Sequence, residues 1–279
     1  RLHAQRRSLR ASLQADAAAL HAASPVDAAL LADEAVSHRW LARVADLVRQ
    51  VPPLSAQAAA AVLRGPGRVV FEGAQGMLLD EWHGFHPHTT WSSVGPDGVR
   101  ALLAEAAVAD DVWHLGLLRS YLTRHGAGPL PTADASLNAL PEPHNTDDTW
   151  QGRFRRGHPD AVLWRHALRA TGRLDGLMVS HLDALDPGRP ALHWCDAYAL
   201  PAGGTVQRIN DLPAGPARDL AHQEQLTRLL QQASPCLDPR PLAHADDLIE
   251  RLEALAGCRV RWTAAGPTAG HVRPHGPAA

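Results

Sequence analysis

The chain contains no lysine; all 27 of its basic residues are arginine. That excludes a Walker-type P-loop, which needs a lysine on the phosphates of its nucleotide. Cysteine is scarce: Cys195, Cys236 and Cys258 lie far apart with no Cys-x-x-Cys spacing. Neither a zinc ribbon nor a disulfide framework is supported, and a reducing, cytoplasmic location is the expectation. No apolar run reaches the length of a membrane span, and no signal peptide pattern is visible. The net charge of -2 provides no positive field to attract nucleic acid. Phenylalanine and tyrosine are rare, with three and two residues. The eight tryptophans fall mostly at amphipathic or loop positions and are read as packing.

What is present suits a large globular domain, or a core with a helical annex: 279 residues with 45% hydrophobic content. Residues 1–64 are helical in pattern. Leu2, Leu9, Leu13, Ala17 and Leu20 recur at roughly helical spacing, as do Leu41, Val44, Leu47 and Val48. Ser24-Pro25 breaks the first helix and Pro25 opens the next. A further Ala-rich helix runs from Ser55 to Leu63. Arg1 falls inside a helical pattern, so the chain is read as a piece of a longer protein.

From residue 65 strands and helices alternate, which predicts an α/β class with a mostly parallel central sheet and flanking helices over 65–266. Arg68–Phe71 reads as a buried strand, as does Gly176–Leu182, and Val112–Leu118 and Arg259–Trp262 read as strands. Helices are expected at Gly98–Ala107, Asp160–Thr171, Ala217–Gln232 and Ala243–Leu255. Residues 124–150 are rich in Gly, Pro, Asn and Asp, and irregular stretches of that length are usually functional or disordered. The Gly/Pro-rich end, 267–279, reads as a flexible tail.

Four segments carry chemistry. Gly73-Ala74-Gln75-Gly76 puts an amide with donors and an acceptor at the end of a predicted strand, between glycines that let backbone approach a ligand. Taken alone it is more often a simple turn. Thr149-Trp150-Gln151-Gly152-Arg153-Phe154-Arg155-Arg156 is an arginine cluster on an extended segment. Arg155 and Arg156 alternate in direction, so each can serve a different ligand, and guanidinium binds carboxylate or phosphate in bidentate fashion. Such clusters are also common on solvated surfaces. His181-Leu182-Asp183 closes a buried strand with a carboxylate able to accept from paired ring donors. His83, His86 and His88 invite a zinc reading, but without helical ligand spacing a metal is not expected there.

The extended run from Phe71 through Asp80, with His83-Gly84, Pro87 and Thr90, resembles the FEGAQGxLLDxxHGxxPxxT stretch of adenylosuccinate synthetases. Arg119–Thr132 is similar to that family's YTTRVGxGPFPTE, residues 149–157 to its TVTGRxRRxGWLD, Ser180–Asp183 to its TKLD, and 264–269 to its SxGPxR. The resemblance is strong over about residues 69–187. Six departures accompany it, the first being Ala133 in place of the glutamate that ends YTTRVGxGPFPTE. Thr90-Trp91-Ser92 replaces TSS, Gln151 replaces a threonine, His158 follows Gly157 where the family has tryptophan, His181 replaces a lysine, and the serine and arginine of SxGPxR are absent.

The resemblance implies a P-loop-NTPase-like fold of the synthetase type, incomplete here, with 65–266 as its nucleotide- and aspartate-binding portion. It implies that Gln75, Thr90 and Arg153 contact IMP. It assigns aspartate to Thr149, Trp150, Gln151, Gly152, Arg153, Phe154 and Arg155. It assigns GTP to Arg155, His181, Leu182, Asp183, Ala264, Ala265 and Gly266. No catalytic residue and no metal ligand is expected in this chain. The family's catalytic groups and its Mg2+ ligands lie upstream of the matched region, with GTP as co-substrate. A homodimer in the cytoplasm is implied, with no nucleic acid or membrane partner. Two alternatives stay open: a related ligase acting on a guanine nucleotide, of the 2-aminoadenylosuccinate synthase kind, and a non-catalytic nucleotide-binding paralogue.

Overall fold

The structure is a computed structural model that describes residues 2–12, 16, 24–33, 35–109, 112–145, 147, 151–216 and 218–276. It divides into two units, 1–66 and 67–279.

The first unit is helical: α1 (Leu2–Ser12), α2 (Pro25–Ala32), α3 (Ala35–Gln50) and α4 (Ala56–Arg64). Pro25 opens α2, where its missing N–H costs nothing. The Ser55 side chain caps α4 by accepting from the Ala58 N–H. Leu13, Ala17 and Leu20 of the expected first helix lie outside the described residues.

The second unit is α/β. After α5 (Asp97–Glu105) come β1 (Leu115–Arg119), β2 (Leu122–His125), β3 (Phe154–Gly157), α6 (Ala161–Thr171) and β4 (Gly176–Ser180). Then follow β5 (Cys195–Ala202), β6 (Thr205–Ile209), α7 (Leu220–Gln232), β7 (Ser234–Leu237), α8 (Ala245–Ala256), β8 (Val260–Ala264) and β9 (Val272–Pro274). The main sheet has the order β1-β4-β8-β9. β1, β4 and β8 run parallel, and β9 returns antiparallel to β8. Parallel neighbours need a crossover, and α6 and α8 supply it before β4 and β8. β2 and β3 form an antiparallel pair, and β5 pairs with β6 and β7 in a third, antiparallel sheet.

Helix α6 sits between two cores. Trp164 joins Leu177, Val179, Leu248, Leu252 and Val260 beneath the main sheet. Val162 and Leu163 join Phe85, Tyr198, Leu226 and Leu230 against α7 and the third sheet. Asp160 starts the helix by accepting from the Val162 and Leu163 N–H groups, at 3.1 Å each. Gly172, at φ 78°, ends it.

Three expectations are corrected. Arg68–Phe71 is not a buried strand: it belongs to no strand, and Val70 is 86% exposed. Its apolar run satisfies the pattern for a strand, but a strand also needs a ladder, and none of the described residues provides one. The stretch from Pro267 is not a loose tail, since Val272–Pro274 pairs with Trp262–Ala264. The irregular stretch 124–150 holds the end of β2 and a short 3-10 turn at Ala135–Ala139, whose Leu137 is fully buried.

Candidate functional site

The carboxyl ends of β1, β4 and β8 form one edge, where α/β sheets bind ligands. Arg119 and Ser120 leave β1, His181–Asp183 leaves β4, and Ala264–Gly266 leaves β8. His181 adopts a left-handed conformation (φ 60°), which turns the chain sharply into a 3-10 turn over Leu182–Leu185. Its ring meets Tyr121 edge-on at 5.7 Å, and its Nδ1 lies 3.0 Å from the Ser180 hydroxyl. Burial first, then the Arg119 charge, pushes the imidazole below its ordinary value and favours the neutral ring. Asp183 is half-buried. The side chains of Leu182 and Ala264 are buried in the core, so only their backbone can meet a ligand.

Beside this edge a network formed that the sequence did not reveal. Glu142, its side chain only 4% exposed, pairs with Arg119. It also accepts from the Tyr121 hydroxyl at 2.8 Å and from the Asn145 amide at 2.8 Å. Burial pushes its carboxyl up, but these donors and the Arg119 charge together hold it below the ordinary range. The same Glu142 raises the Tyr121 phenol, second to burial. The cluster remains a charged, donor-satisfied support for the β1 edge.

The loop after residue 72 carries Gln75, exposed and at φ 51°, followed by Gly76 at φ 158°. Its descent is organised by Asp80, which is 1% exposed. One carboxylate oxygen accepts from the Trp82 and His83 N–H groups at 2.8 and 3.0 Å, and the other from Val94 at 2.7 Å. A Cβ at Gly84 would sit 2.6 Å from the Asp80 carbonyl oxygen, so only glycine fits there. Thr90 is half-buried, its N–H donating to the Leu79 carbonyl at 2.8 Å. Gln75, Arg119, Arg124 and Ser180 come together in the wall of a cavity of about 560 Å³.

The arginine cluster lies on β3. The ladder sets Arg124 opposite Arg155 and Thr123 opposite Arg156, so Arg155 and Arg156 do face opposite sides. Arg155 donates to the Gly126 carbonyl at 2.6 Å and also to that of Gly128, holding the 126–128 loop. Arg156 lies 5.0 Å over the Phe154 ring. Phe154 is buried and its N–H is already taken by Asp147, at 2.6 Å, so this residue supports the site rather than contacting a ligand. Arg153 and Gln151 are exposed, and Gly152 turns at φ 78°. Thr149 and Trp150 lie outside the described residues.

The three loop histidines diverge. The His83 carbonyl accepts from His166 at 2.7 Å, His86 lies 3.9 Å from Glu224, and His88 is pushed down by burial and by Arg124 and Arg155. Among the described residues no three His, Cys, Asp or Glu side chains gather as metal ligands would.

The sequence profile described as adenylosuccinate synthetase matches residues 3–272. The chain belongs to the adenylosuccinate synthetase family. It is 30% identical over 249 residues to the adenylosuccinate synthetase of Azotobacter vinelandii, covering 87% of this chain and 55% of that protein. It is 38% identical over 174 residues to that of Myxococcus xanthus, covering 61% of this chain and 38% of that one. The chain therefore spans about half the length of the family members it matches, or less. A solved structure of the fully ligated synthetase from Plasmodium falciparum superposes with a TM-score of 0.61 at 16% identity, covering 86% of this chain and 63% of that one. That likeness shows the shared synthetase fold. No helix among the described residues is long and apolar enough to cross a membrane.

Proposed function

We propose that the chain supplies the IMP-, aspartate- and guanine-binding portion of a purine-biosynthetic ligase that joins IMP to L-aspartate, using GTP, to give adenylosuccinate. The observation that carries this reading is the meeting of 181–183 and 264–266 at the carboxyl ends of neighbouring parallel strands, far apart as they are in sequence. Asp183 there accepts from the ring N–H and amino group of guanine, a donor pair adenine lacks. His181 stands where the family has lysine and offers a ring face beside the base. Gln75 reads the purine edge of IMP, and Thr90 and Arg153 its phosphate side. Arg155, with Gln151, Gly152 and Arg153, receives the aspartate carboxylates and the GTP side of the site.

In the whole protein GTP transfers its γ-phosphoryl group to the 6-oxygen of IMP, leaving GDP. The α-amino nitrogen of aspartate then bonds to C6, the C6–O bond breaks, and phosphate departs as the nitrogen loses a proton. This chain binds and orients the reactants. No described residue is assigned as acid, base or magnesium ligand, and no step is routed through the metal. Family membership supports a cytoplasmic homodimer.

Tryptophan fluorescence titrations with GTP and ATP test the reading. The chain is expected to prefer GTP by at least about tenfold, and Asp183→Asn to erase that preference, as loss of a charge-assisted pair demands. Equal affinity for the two nucleotides in the unsubstituted chain sinks the guanine assignment.

A further inference from the structure

The β2–β3 ladder places Arg124 directly across from Arg155, on one face of the pair. Like charges directly opposite repel. Arg124 is also 8% exposed. One of its terminal nitrogens donates to the His88 carbonyl at 2.5 Å, while its Nε is buried with no hydrogen-bond partner. Burial, and then Arg155, push this guanidinium down to about 10. Arg155 is lowered by burial and by Arg153. His88 feels Arg124, Arg155 and His86. Among the described residues no carboxylate acts on any of the three.

A buried cation without a counter-ion is strongly disfavoured, and proteins retain one where a ligand brings the opposite charge. The loop is shaped to keep it. A Cβ on Gly128 would collide with the Arg124 guanidinium, so glycine at that position leaves the room Arg124 occupies. Gly126 and Gly128 turn their carbonyls to Arg155, not to Arg124, so the loop neutralises neither charge.

We propose that Arg124, with Arg155 and His88, forms an oxyanion site that takes a carboxylate or phosphate group of a bound substrate. Arg124 adds a second guanidinium to the one the arginine cluster provides. The proposal rests on the reading of Arg155 as a ligand-binding residue and extends it to a residue on another strand.

The test uses the full 279-residue chain. Inorganic phosphate and succinate are titrated separately by calorimetry and thermal melts, at an ionic strength held constant with chloride. One of the two is expected to bind saturably and raise Tm; phosphate doing so marks a phosphate group, succinate a carboxylate. Arg124→Gln is expected to weaken that binding by about tenfold or more, the equivalent of one lost charge-assisted contact. Should Arg124→Gln fail to fold, His88→Glu carries the test. A carboxylate built beside the two guanidiniums is expected to raise Tm and to compete the anion out. The proposal is overturned if neither anion binds beyond chloride, or if His88→Glu lowers Tm and leaves anion affinity unchanged. It is also overturned if Arg124→Gln binds as well as the parent while Arg155→Gln does not; the ligase reading then survives without it.

Discussion

Asp160 carries two demands that oppose each other. Its carboxylate caps α6 and accepts from the Tyr198 hydroxyl at 2.6 Å, both of which favour the charged form. Complete burial outweighs them and pushes its pKa up to about 6. Because the folded value is raised, the folded state binds the proton more tightly than the unfolded chain does. The stability this group contributes is full below the ordinary carboxylate value of about 4 and is lost as pH rises to about 6, by up to about 3 kcal/mol. Asp160→Asn keeps an acceptor for the helix N–H groups but cannot titrate. Urea denaturation at a series of pH values is expected to show a smaller loss of stability between about pH 4 and 6 for Asp160→Asn than for the parent. Parallel pH profiles would overturn the assignment. The Asp at the head of an amphipathic run was legible as a helix start. Its burial beneath Tyr198, on a strand far along the chain, was not.

At the scale of elements, the loop of residues 76–94 shows how a single side chain organises a binding segment. Asp80 satisfies three backbone N–H groups, from Trp82, His83 and Val94, and so closes the loop on itself. The loop is then fixed from outside: Thr227 of α7 donates to the His86 carbonyl at 2.8 Å, and Phe85 stacks on His166 of α6. Asp80→Ala leaves those part-buried donors without an acceptor and is expected to cost about 3 kcal/mol. Thermal melts measure the loss, and IMP titration is expected to show weaker binding, because Gln75 borders the loop and Thr90 lies within it. A melt within about 0.5 kcal/mol of the parent would show that the loop does not depend on Asp80. The acidic residue was visible in the LLD run, with no sign that its partners were backbone groups up to Val94. The β2–β3 pair was hidden in the same way. Each strand has only four residues, so periodicity had no purchase on either.

For the molecule as a whole, the chain covers about half or less of its relatives' length. Phosphoryl transfer needs a metal and positioned charge around the transferred group. Arg119 is already paired with Glu142. The 279 residues are accordingly expected to bind nucleotide without turnover. An absorbance assay with IMP, GTP, Mg2+ and aspartate checks this, and steady formation of adenylosuccinate would refute it.

The sequence by itself determined the α/β class, the helices that flank the sheet and the family, because periodicity and the motif runs are local properties of the chain. It also determined that Arg155 and Arg156 face opposite ways, since alternation follows from extended backbone alone. Only the tertiary structure decided that Val69–Phe71 finds no strand partner among the described residues, that Val272–Pro274 returns as β9, and that Arg124 sits buried across from Arg155 with no carboxylate beside it among those residues. Pairing and burial depend on which distant segments meet, and no window of sequence carries that information.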